Sequence, residues 1–243
     1  MPRFAAGVVR FQTNVYPEKQ GLFEELSKGQ SPEALFITCS DSRVETALIT
    51  QTEPGELFIC RNAGNIVPPH TEHTGGMTAS IEYAVAVLKV PHIVVCGHTE
   101  CGAMKGAMSP DALESLPHVK KWLGYSKAAV DIVDSLAPDA TEEDRMKLLI
   151  EQNVLLQLQH LRTHPAVAAA LAKGTTELHG WVYDIRSGEV EAFDEAENRF
   201  ITVDTRYAAR SRNSPASTPA PPDTDLPHVT DENCRAFRAR PLF

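Results

Sequence analysis

The chain has 243 residues, a formal net charge of −9, 42% hydrophobic and 23% charged residues, which is globular composition with enough chain for a real core. The acidic balance and the lack of a basic stripe exclude a nucleic-acid surface, and no apolar run approaches the roughly 18 residues of a membrane span. The first residues, MPRFAAGVVRFQTN, carry no secretory signal, so a cytoplasmic protein is expected, with its five cysteines used as metal ligands or buried thiols rather than disulfides.

Residues 2–29 read as helical pieces, with Phe4, Val8 and Phe11 on one face, a break at Pro17 and resumption at LFEEL, 22–26. That face suits packing on its own domain or on a partner subunit. ALFITC, 34–39, is a short apolar run ending in the polar cluster SDSR, the pattern of a buried parallel strand. ELFICRN, 56–62, repeats it, and HIVVCGH, 92–98, is a third such strand. Between them, 74–90 predicts a helix buried on most faces. Residues 110–172 are mostly helical, most clearly at 141–162, where Thr141 and Asp144 suit a helix start. ELHGWVYDI and EVEAFD, joined by Arg186-Ser187-Gly188, form a β-hairpin. The expected fold is α/β: a mainly parallel β-sheet flanked by helices, with a C-terminal β-hairpin and an N-terminal helical arm. From 206 to 243 the chain is Pro-rich and poor in apolar residues until its end, so 1–205 is expected to form the domain and 206–243 a tail, loose or docked.

Cys39 ends the first strand, and His98 and Cys101 end the third, in HTEC. The carboxyl ends of strands in an open α/β sheet face one crevice. Two strands therefore deliver sulfur, imidazole and sulfur to one place, a three-ligand zinc set with an open fourth position. Cys60 and Cys96 lie inside apolar strands and read as buried thiols. Cys96 shares a strand face with His98, which leaves a four-ligand set conceivable. In CSDSR, Asp41 can orient or receive the proton of a metal-bound water, and Arg43 can hold that carboxylate ionised through a bidentate pair. A plain surface salt bridge is the competing reading.

CSDSRV at 39–44, PGELFICRNAGNIV at 54–67, SIEYAV at 80–85 and HIVVCGHTECGAMKG at 92–106 resemble the β-class carbonic anhydrases. The resemblance covers about residues 20–195. It implies one Zn²⁺ per chain on Cys39, His98 and Cys101, interconversion of carbon dioxide and bicarbonate, and homodimers or oligomers of dimers with active sites at the subunit interface. It places the family's catalytic dyad on Asp41 and Arg43. Gln30, in GQSP, matches the active-site glutamine of the plant-like branch. The apolar substrate pocket maps to Phe58 and Tyr83 with Ala63 and Ile66, and Gly102 offers its backbone N–H to substrate. Enzymes of the bicarbonate-regulated branch carry Trp where this chain has Phe36, which lacks the indole donor, so the resemblance implies the type without that switch. Hydrolysis of carbon disulfide or carbonyl sulfide at the same site, and a non-catalytic zinc-binding sensor, are the alternatives. A thiol redox protein is disfavoured because the chain has no C-x-x-C pair.

Overall fold

A computed structural model describes residues 1–72 and 74–211. Its centre is one six-stranded sheet in the order β2-β1-β3-β4-β5-β6. The strands are β1 (Ala34–Cys39), β2 (Leu57–Asn62), β3 (His92–His98), β4 (Glu177–Tyr183), β5 (Val190–Asp194) and β6 (Arg199–Thr202). β1 pairs in parallel with β2 and β3, and β3 with β4. β5 and β6 add antiparallel pairs at the edge. All six residues of β1 are buried, as are the last six of β3. Covering on both faces explains why these strands read as continuous apolar runs rather than alternating ones.

The long helix α9 (Glu142–Arg162) lies across β3 and β4. Thr141 caps it: the Asp144 N–H donates to Thr141 Oγ1 at 3.1 Å, and the hydroxyl donates back to Asp144 Oδ2 at 2.7 Å. Val154 and Ile150 of α9 press on the sheet where Gly97 and Gly180 carry no side chain. Around α9 the main core collects Leu35, Ile37, Ile93 and Val95 from the sheet with Ile81, Ala129, Leu149 and Val167 from helices. The other face holds a smaller cluster of Phe36, Val94 and Cys96 against Leu57 and Trp181.

Several boundaries differ from the sequence expectation. The chain stays helical through Pro17, which lies in the short α2 (Tyr16–Glu18), directly after a widened helical turn. The break falls instead at Lys19, after α1 (Pro2–Arg10), a wider turn at Phe11–Val15 and α2; α3 (Gln20–Leu26) follows. The expected helix over 74–90 is α5 (Gly76–Glu82), extended by a widened turn, Tyr83–Val87. α4 (Thr46–Thr50) and β6 are additional elements. α11 (Val203–Ser211) crosses residue 206, where the composition changes, and its Arg206 pairs with Asp194 of β5. The rest of the Pro-rich stretch, with Cys234, lies outside the described residues.

Candidate metal centre

The connections leaving β1 and β3 run in opposite directions, to β2 on one side and towards β4 on the other. That reversal opens a crevice at the carboxyl ends of β1 and β3. Thr38 is level with Cys96, so Cys39 leaves the sheet there and His98 one residue further along the neighbouring strand. Glu100 then takes a left-handed conformation (φ 57) that turns Cys101 back. α6 (Gly102–Met108) starts immediately after it. The three donor atoms of Cys39, His98 and Cys101 lie within 4.8 Å of one another, and all three residues are buried.

The donors are prepared for a cation. His98 Nδ1–H donates to the Thr99 carbonyl at 2.8 Å, which leaves Nε2 as a lone pair. That Nε2 is buried and has no hydrogen-bond partner, a costly state for a polar atom unless a ligand accepts it. The Cys101 thiol donates to Cys39 and holds the Cys39 thiol well below its ordinary range, against the opposing effect of burial. The same bond, with burial, pushes Cys101 up. The Gly64 N–H adds a contact to Cys39 Sγ at 3.4 Å. Gly64 has φ 84, and a Cβ there would stand 2.9 Å from Met104 Cε, so only glycine brings this amide to the sulfur. Two sulfurs and one imidazole around an orphaned nitrogen fit a zinc ion with one further position. Cys96 is not in the set: its Sγ faces the Gly97 carbonyl at 3.4 Å, and burial pushes its thiol up to about 12. Burial also raises the Cys60 thiol.

Asp41 and Arg43 stand beside this cluster. Arg43 donates Nε–H to Asp41 Oδ1 at 2.9 Å and Nη2–H to Oδ2 at 2.8 Å, and its backbone N–H also reaches Oδ1 at 3.0 Å. These bonds, the guanidinium ones first, hold the Asp41 carboxyl well below the usual carboxylate range. Asp41 Oδ2 lies 3.9 Å from His98 Nε2. Arg43 Nη2 also donates to the Glu100 carbonyl at 3.1 Å, tying this loop to the turn that carries Cys101. Arg61 of β2 donates to the carbonyls of Cys39 (3.2 Å), Asp41 (3.0 Å) and Val44. It fixes the backbone that presents Cys39 and Asp41.

Ala63, Ile66 and Gly102 lie near the cluster, next to Gly64 or to Cys101. Asn62 clamps Ile66, donating to its carbonyl at 2.9 Å and accepting its N–H at 2.7 Å. The Ala63 carbonyl accepts the Trp122 indole N–H at 2.9 Å. A Cβ on Gly102 would meet nothing within 4 Å, so the space beside it is open. Phe58, Tyr83 and Gln30 are elsewhere. Phe58 is level with Leu35, and four residues of strand, about 13 Å, separate that level from Cys39. Its ring pairs with that of Tyr83 at 6.0 Å, and Tyr83 is 45% exposed. Gln30 is exposed and precedes the amino end of β1, away from Cys39. The chain therefore does not bring these three side chains to its own sulfur–imidazole cluster.

Comparison with known proteins follows the same lines. The family described as "Carbonic anhydrase" matches residues 34–190. A carbonic anhydrase of Pseudomonas aeruginosa is 52% identical over 197 residues, covering 81% of this chain and 89% of its own. One from Synechococcus elongatus is 45% identical, covering 78% of this chain and 70% of its own. Among solved structures, the β-carbonic anhydrase CcaA aligns with a TM-score of 0.81 at 43% identity, covering 83% of this chain and 98% of its own. A tetrameric β-carbonic anhydrase of Sordaria macrospora aligns with a TM-score of 0.64 at 33% identity, covering 79% and 92%.

Proposed function

Because the chain belongs to the β-class carbonic anhydrases, we propose that it interconverts carbon dioxide and bicarbonate with one zinc ion held by Cys39, His98 and Cys101. The observation that carries the zinc assignment is the buried, partnerless His98 Nε2 between two cysteine sulfurs. When bound, zinc supplies the Lewis acidity that generates an oxygen nucleophile near neutral pH. Asp41, ionised throughout the neutral range, is purely an acceptor. It can accept a hydrogen bond from the attacking oxygen and so aim that oxygen's lone pair at carbon. Arg43 fixes the rotamer in which Asp41 does this. The Gly102 N–H, at the start of α6, is placed to donate to a substrate oxygen.

Carbon dioxide carries no charge and needs an apolar slot. Ala63 and Ile66 supply one wall of it, while Phe58, Tyr83 and Gln30 sit too far away in the same chain. The exposure of Tyr83 and Gln30 suits their delivery by a second copy, in keeping with the family's active sites at a subunit interface. On this reading the working unit is at least a homodimer. Among the described residues no helix is long and apolar enough to cross a membrane.

Phe36, fully buried and edge-on to Trp181 at 5.9 Å, stands where the bicarbonate-regulated branch has Trp. We place the chain in the plant-like type, with Asp41 kept on Arg43 at neutral pH. Stopped-flow hydration of carbon dioxide by the purified protein, across pH 6.5–9 and with added bicarbonate, tests this reading. A smooth rise in rate with pH supports it. A cooperative collapse below pH 8 that bicarbonate deepens refutes the branch assignment. Absence of hydration, with turnover of carbon disulfide or carbonyl sulfide, refutes the substrate.

A further inference from the structure

A second group of metal-ligating side chains lies at the amino ends of β3 and β4, at the opposite end of β3 from His98. His92 opens β3 and Glu177 opens β4; the two are level, and His179 follows two residues on. Strand alternation puts Glu177 and His179 on one face and His92 beside them. One donor atom from each lies within 4.8 Å of the others. His92 Nδ1 is 3.1 Å from His179 Nε2, and Glu177 Oε2 is 3.9 Å from that same nitrogen. Ligands bonded at about 2.0–2.1 Å to a tetrahedral ion stand about 3.3 Å apart, and the two observed separations bracket that value.

Two further features single out this corner. His179 Nδ1 is 3.0 Å from the Tyr207 hydroxyl of α11, which also accepts the Trp181 indole N–H at 3.2 Å. The tyrosine oxygen has lone pairs for both donors. In the tautomer whose Nδ1–H donates to that oxygen, His179 presents Nε2 as a lone pair towards His92 and Glu177, which is how second partners orient metal-binding imidazoles. His92 and His179 also border a cavity of about 420 Å³ that Phe36, Val94, Trp181 and Tyr207 help to line.

The geometry points to a second cation site, made by His92 Nδ1, His179 Nε2 and the Glu177 carboxylate, for a divalent transition-metal ion such as zinc or cobalt. Two imidazoles and one carboxylate select such ions over calcium or magnesium, which prefer all-oxygen shells. The site contains no sulfur, so its spectrum separates it from the cluster at Cys39 and Cys101. It is independent of the catalytic reading.

The test is equilibrium dialysis of the full-length holoenzyme against Co²⁺ with absorption spectroscopy. The expected result is about one cobalt per chain, with ligand-field bands and no thiolate charge-transfer band. His92→Asn/His179→Asn should abolish that uptake, and Cys101→Ser should leave it intact. Should the double variant fail to fold, Glu177→Gln decides the matter. Its side chain is 51% exposed, and its loss should weaken cobalt binding at least tenfold. No uptake, uptake accompanied only by thiolate charge transfer, or uptake unchanged by the Glu177 substitution would overturn the site. The 3.1 Å contact would then be an ordinary imidazole–imidazole hydrogen bond.

Discussion

Replacing Gly97 by alanine tests how α9 holds the strand that delivers His98. A Cβ at Gly97 stands 2.9 Å from Val154 Cγ2 and 3.2 Å from Ile150 Cγ2, whereas non-bonded carbons rest at about 3.5–4.0 Å. Val154 is fully buried and has no room to retreat, because a Cβ at Gly180 would also stand 2.9 Å from its other methyl. The overlap is relieved only by shifting α9 or β3. Overpacking of this kind costs about 1–3 kcal/mol, and each kcal/mol moves Tm by about 2–4 °C at this chain length. Gly97→Ala should therefore melt roughly 2–12 °C below the parent. Because residue 98 is the proposed imidazole ligand, hydration activity should fall well below the melting temperature. Val154→Ala removes the obstructing methyls, so it should cost less in the Gly97→Ala background than in the parent. A thermal double-mutant cycle should show a coupling of about 0.5 kcal/mol or more. An unchanged Tm for Gly97→Ala, or strictly additive costs, would refute the argument.

Asp41→Asn and Arg43→Ala should each lower the turnover number about tenfold or more, with Tm close to the parent's; unchanged turnover in both would remove the dyad from the mechanism. Arg61→Ala frees three carbonyls around Cys39 and Asp41, so zinc should dissociate faster into a chelator, and an unaltered release rate would contradict that positioning role. His160 and His164 are held below the ordinary imidazole value of 6.5, chiefly by burial. The unfolded chain therefore takes up more protons, and the stability they contribute is full above pH 6.5 and is lost as pH falls from there towards the folded values. Urea midpoints should drop between pH 7 and pH 5.5, less steeply in His164→Asn; equal slopes would refute the assignment.

What was legible in the sequence follows from how local its cause is. β1 and β3 are buried on both faces, so ALFITC and HIVVCGH stand out as apolar runs, and their polar ends mark the crevice. Thr141 and Asp144 announce α9 because a cap is a four-residue event. β6, only RFIT, does not stand out in the sequence because an edge strand so short depends on its antiparallel partner β5 for definition. The grouping of Cys39, His98 and Cys101 is readable because each residue sits at or just beyond a strand end. The Arg61 clamp is not, since it reaches backbone carbonyls at the end of β1 and in the loop after it, which no residue pattern encodes. Phe58, Tyr83 and Gln30 rest on motif resemblance, and a single chain does not unite them with the cluster. His92, Glu177 and His179 become neighbours only once the β3–β4 register is known.

The proposed hydration chemistry depends on whether Cys39, His98 and Cys101 hold the zinc that the reaction uses. Zinc content and stopped-flow carbon dioxide hydration, measured on the same preparations of the parent protein and Cys101→Ser, decide it. The expected result is that the variant carries one zinc fewer per chain and loses hydration activity in proportion, while remaining folded. A Cys101→Ser protein with the parent's zinc content and the parent's rate would contradict the assignment of Cys39, His98 and Cys101 as the catalytic metal centre.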